Sequence, residues 1–130
     1  MESAVERTFP AAPEVPARAR QLVRHLELDP ETHATVELIV SELVTNAVLH
    51  GGGARSGELS VALERQGNSI RGEVCDDGEG FQWEPHEPDL DEPGGLGLLV
   101  VDKVAERWGV HQNAVSCVWF ECPDCAAGQG

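Results

Sequence analysis

Along DPETHATVELIVSELVTNAVLHGGG, which starts at Asp29, apolar residues return every three or four positions, at Val36, Ile39, Val40, Leu43, Val44 and Ala47. That period collects them on one stripe of an α-helix. Asp29 is suited to the N-cap, Pro30 to the first helical position and Glu31 to the first turn, while Gly51 marks the C-cap. The preceding PEVPARARQLVRHLEL carries Val15, Ala19, Leu22, Val23 and Leu26 at the same spacing, with Arg18, Arg20 and Arg24 elsewhere on the helix. The period then falls to two. GELSVALERQ alternates through Leu59, Val61 and Leu63, and SIRGEVCDD follows it across a short turn at Gly67-Asn68, which predicts a hairpin. AVERTFP reads as an edge strand closed by Pro10, and AVSCVWFEC as a last strand. LGLLVVDKVAERW reads as a helix with Leu98, Val101, Ala105 and Trp108 on one stripe. This order predicts an α+β fold, a two-layer sandwich with helices on one face of a mixed or antiparallel sheet.

Composition narrows the partners. The chain has 130 residues, which suits one domain, and a net charge of −14. Such an acidic chain lacks the clustered Lys and Arg of a nucleic-acid or anionic-membrane surface, and is compatible with basic protein partners. Arg18, Arg20 and Arg24, sharing one helix, are candidate partner contacts, although a solvated face explains them as well. MESAVERTFPAAPEV has neither the basic start nor the apolar run of a secretory signal, and GLGLLVV is too short to span a membrane, so a cytoplasmic protein is expected. Cys75 and Cys117 lie in apolar runs and read as small buried hydrophobes. Cys122 and Cys125 form CPDC, half of a zinc site with no second half, in a Gly/Ala-rich tail.

Three stretches carry chemistry. In SELVTNAVLHGG, Glu42 and Asn46 stack one turn apart at the edge of the buried stripe, where they would face a crevice between helix and sheet. A polar pair on a helix flank is the plainer alternative. His50, nearer the stripe, suits a structural role at the helix end. VCDDGEGF sets carboxylates at a strand end, followed by Gly78 and Gly80. Asp-Gly is a common turn dipeptide, but a carboxylate there could equally accept a hydrogen bond from an exocyclic amine, with glycines letting a flat ring approach. GGLGLL places Gly94, Gly95 and Gly97 at a helix entry, where unpaired N–H groups attract anions. No GK[ST] follows and no βαβ unit surrounds it, which excludes a Walker loop and a Rossmann fingerprint.

Taken in order, ELVTNAVLH, DDGEG and GGLGL resemble the N, G1 and G2 boxes of the GHKL superfamily, the Bergerat-fold ATP-binding domains. RWGV and VWFE make bacterial anti-sigma-factor serine/threonine kinases the nearest group. The resemblance implies a histidine-kinase-like ATP-binding domain over residues 1–121 and a C-terminal tail over 122–130. It implies Asn46 as a ligand of the Mg²⁺ that accompanies ATP, and Glu42 as general base toward the hydroxyl of a partner protein. It further implies Asp76 as the group that recognises the adenine amino group, with Gly78 and Gly80 shaping that pocket. Gly95, Leu96 and Gly97 fall at the phosphates, with Leu96 where many relatives carry Arg. Residues 81–94 correspond to the ATP lid; they hold Glu84, Glu87, Asp89, Asp91 and Glu92, no Lys or Arg, and His86 as the one potential cation. The implied partners are a sigma factor and an anti-sigma antagonist protein, with no direct nucleic acid and no membrane. A homodimer is left open. The alternative is a switch, catalytically weak or inactive, that binds ATP and regulates a partner by binding alone. A histidine-kinase catalytic domain is disfavoured, because no phosphoacceptor helix precedes it.

Overall fold

The computed structural model describes residues 4–50, 57–76, 97–112 and 115–123. Strand β1 (Ala4–Pro10) leads into helix α1 (Val15–Leu22), a single 3-10 turn (Val23–Leu26) and the long helix α2 (Pro30–His50). Strands β2 (Glu58–Gln66) and β3 (Ser69–Asp76) follow, then helix α3 (Gly97–Val104), β4 (Arg107–Gln112) and β5 (Ser116–Pro123). The five strands form one sheet in the order β1-β2-β3-β5-β4, antiparallel at every pairing. The expected α+β architecture is present, and the sheet is antiparallel rather than mixed.

The start of α2 is fixed by its cap. Asp29 Oδ1 accepts the backbone N–H groups of Glu31 at 3.0 Å and of Thr32 at 3.4 Å, while Oδ2 accepts the Thr32 hydroxyl at 2.6 Å. Two of the helix's otherwise unpaired N-terminal groups are satisfied in this way. The apolar stripe of α2 (Val36, Ile39, Val40, Leu43, Val44, Ala47) is buried with Val15, Ala19 and Leu22 of α1. It meets Leu59, Val61, Leu63, Ile70, Val74, Val118 and Phe120 of the sheet. Phe120 lies over Gly72, where a Cβ would come within 2.3 Å of two ring carbons, so the glycine makes room for the largest fully buried side chain. At the hairpin, Gln66 pairs with Ser69, leaving Gly67-Asn68 as a two-residue turn. Gly67 has φ +59, the left-handed value that only glycine adopts without cost.

Two expectations are corrected. The helix expected over residues 96–108 stops at Val104, and Arg107 and Trp108 begin β4. The last helical bond runs from Ala105 N–H to Val101 C=O at 2.9 Å, and the next N–H, of Glu106, goes to Glu121 C=O at 2.8 Å. Pairing with β5 outbids the helical period, and Trp108 sits opposite Phe120. Cys75 and Cys117, read as separate small hydrophobes, are joined in a disulfide between directly paired positions of β3 and β5. Cys122 lies in β5 and is 1% exposed within the core. Among the described residues no helix is long and apolar enough to cross a membrane.

Candidate functional site

Helix α2 packs against α1, α3, β3 and β5, so its flank borders both the sheet and α3. Glu42 and Asn46 project from that helix one turn apart. Glu42 is half-buried and Asn46 is 4% exposed. The side-chain oxygen of Asn46 is buried and has no hydrogen-bond partner among the described residues. A buried acceptor left unpaired costs about 1–3 kcal/mol, so a helix built from Val, Leu and Ile has a reason to be found for keeping it.

Asp76 ends β3 and is 5% exposed. Its backbone is paired on one side with Leu59 and on the other with Ser116, itself a buried polar residue. Ser116 was not singled out in the sequence; only the β3–β5 register shows that it flanks the aspartate. Gly97 is the first residue of α3, a helix that packs on α2. Gly78, Gly80, Gly95 and Leu96 lie outside the described residues, as do the acidic stretch 81–94 and the side chain of His50. Helix α2, which carries Glu42 and Asn46, packs against both β3, which ends in Asp76, and α3, which begins at Gly97.

The basic helix residues separate. Arg20 donates to the Ser41 hydroxyl at 2.9 Å and ties α1 to α2, whereas Arg18 and Arg24 stay exposed. A second polar group escaped notice in the sequence. Glu73, Cys75, Cys117 and His111 share the sheet face opposite the helices. Period-two alternation would place Glu73 with Cys75, but the neighbourhood of Cys117 and His111 needs the strand order.

One oxygen on this flank suits a hard cation. Magnesium takes oxygen ligands, and the amide oxygen of Asn46 is a buried oxygen with its acceptor capacity unused. An antiparallel sheet with helices packed on one face, its buried polar side chains carried by α2 and by the end of β3, is an architecture compatible with a nucleotide-binding domain. Comparison with known proteins agrees. Residues 8–121 match the histidine kinase-like ATPase domain, and the chain belongs to that family. It is 33% identical to an anti-sigma F factor of Clostridium acetobutylicum, covering 87% of both proteins. Its fold is similar to a Mycobacterium tuberculosis protein solved with its RsbU and RsbW domains, at a TM-score of 0.71 and 19% identity. That match covers 94% of this chain and 32% of the other, so the chain spans about a third of that structure. A blue-light activated histidine kinase of Erythrobacter litoralis superposes with a TM-score of 0.53 at 20% identity, over 88% of this chain and 42% of that one.

Proposed function

We infer that the protein is a cytoplasmic ATP-binding regulator of the anti-sigma type, a kinase that phosphorylates a serine or threonine of an antagonist protein and sequesters a sigma factor. The observation that carries the reading is the buried oxygen of Asn46 on the flank of α2, which has no partner among the described residues. The family membership and the anti-sigma F factor relative support it. Asn46 would hold the magnesium ion, whose charge offsets that of the phosphates when it is bound. Asp76 would accept a hydrogen bond from the adenine amino group. The N–H groups at the start of α3 would face the phosphates. Glu42 would orient the partner's hydroxyl and take its proton as the oxygen bonds to the γ-phosphorus and the bond from that phosphorus to the ADP oxygen breaks. The half-buried position of Glu42 suits a group that must reach both the nucleotide and an incoming protein.

A second reading, control by binding alone, draws on residues 81–94, which contain no Lys or Arg, and on Leu96 between two glycines. Phosphoryl transfer is helped by cations that stabilise developing charge. Calorimetry and a transfer assay separate the two. Mg-ATP should bind wild type, and Asp76→Asn should weaken binding at least tenfold. Glu42→Gln should leave nucleotide affinity within about twofold while abolishing phosphate transfer to the antagonist. Transfer absent in wild type, with Mg-ATP bound and the sigma factor still captured, establishes the binding-only switch. No binding of Mg-ATP at millimolar concentration removes both readings.

A further inference from the structure

The sheet face turned away from the helices carries a compact group of sulfur, nitrogen and oxygen donors. Cys75 and Cys117 are direct partners across β3 and β5, His111 is the direct partner of Cys117 across β4 and β5, and Glu73 precedes Cys75 by two residues on the same face. Both sulfurs and a Glu73 carboxylate oxygen lie within 4.8 Å of one another. His111 Nε2 is 3.2 Å from Glu73 Oε2, which sets the imidazole beside that carboxylate at the edge of the group, and a side-chain rotation would bring it to the sulfurs. Two thiolates, one imidazole and one carboxylate are a zinc donor set, and three adjacent strands supply them.

We propose that, when Cys75 and Cys117 are reduced, these four residues bind one Zn²⁺ ion on the sheet face opposite the helices. The disulfide and the metal exclude each other, because the sulfurs cannot bond to each other and ligate a cation. Opening the bond takes two electrons and two protons from a dithiol reductant, which leaves as its own disulfide. Binding then releases the two thiol protons as the Zn–S bonds form. The backbone need not move far. Zn–S bonds of about 2.3 Å put two tetrahedral ligand sulfurs ~3.7 Å apart, a separation that side-chain rotation on paired strands can provide. Glu73 and His111 already touch, so one half of the shell is held together before the metal arrives. The site is independent of the nucleotide reading, since Glu42 and Asn46 belong to α2 on the other side of the sheet.

The test uses the full chain, reduced with a phosphine, desalted without oxygen and titrated with Zn²⁺ against a chromophoric chelator and with Co²⁺ by absorption. One equivalent should bind, with a thiolate-to-cobalt charge-transfer band and the visible bands of a tetrahedral ion. Cys75→Ser should remove the charge-transfer intensity from one sulfur and lower affinity at least a hundredfold. His111→Ala and Glu73→Gln, both at half-exposed or exposed positions, should each lower affinity at least tenfold with folding retained. Cys125→Ser should change nothing, and the oxidised protein should bind no ion. Binding that survives Cys75→Ser but fails in Cys125→Ser would assign the metal to the CPDC stretch and overturn the proposal. So would reduced, thiol-titrated protein that binds no zinc at micromolar concentration, a disulfide that resists the phosphine, or affinity unchanged in both His111→Ala and Glu73→Gln.

Discussion

Under the proposed function, Asn46 sets stability against binding at a single side chain. Its oxygen is buried without a partner among the described residues, next to Leu43, Val44 and Ala47 of the core stripe. Asn46→Leu removes the orphaned acceptor and adds apolar contact at nearly constant size. It should raise the unfolding free energy of the nucleotide-free protein by about 1 kcal/mol or more, measured by urea denaturation. The same variant should lose Mg-ATP binding in calorimetry. A drop in stability instead would show that the amide is satisfied in the unliganded protein. This residue was legible in the sequence, because a helix reports its own faces through spacing and Asn46 falls one turn from Glu42. The disulfide was not. Cys75 and Cys117 are 42 residues apart, and nothing in either strand's local pattern says that the two strands are neighbours.

Elements were legible where a local signal sets both ends. The Asp29-Pro30-Glu31 start of α2 and the Gly67-Asn68 turn are such signals, and both occur as expected. The end of α3 is different. Its apolar spacing runs on through Ala105 and Trp108, but strand pairing supplies hydrogen bonds from Glu106 onward that a helix would have to forgo at its terminus. Trp108 keeps a link to the helix it was assigned to, donating from Nε1 to Asp102 Oδ1 at 2.9 Å. Within α2 the cap carries much of the local definition. Asp29→Ala removes the acceptor for the Glu31 N–H and for the Thr32 hydroxyl, and Thr32 is buried. The variant should lose about 1–2 kcal/mol in chemical denaturation, with Asp29→Asn recovering part of it. A loss below a few tenths would mean that water replaces the cap without penalty.

At the scale of the molecule, one sheet face holds the helices and the core, and the other is finished by polar pairing. Glu121 accepts from Arg71 at 3.0 Å and Arg107 at 2.6 Å, and Arg71 stacks 4.6 Å above the Trp119 ring. These half-exposed contacts add little stability each. The cross-strand disulfide is the stronger tie. In the chain-entropy view, a bond across 42 residues is worth about 4 kcal/mol through the unfolded state. Reduction should therefore lower the urea midpoint substantially, and Cys75→Ser should show the lower midpoint whatever the redox buffer. Equal midpoints for oxidised and reduced wild type would place that bond outside the stability of the fold. The general architecture was readable from alternating and helical periods, whereas the β1-β2-β3-β5-β4 order was not, since it depends on which distant strands meet.

That order has a topological consequence. With Cys75 and Cys117 joined, the oxidised polypeptide is a closed ring that contains α3 and β4, with β1, α1, α2, β2 and most of β3 on one tail and the rest of β5 on the other. A protease that cuts once inside the ring opens it without parting the two pieces. Until a reductant arrives, the nicked chain remains one covalent molecule.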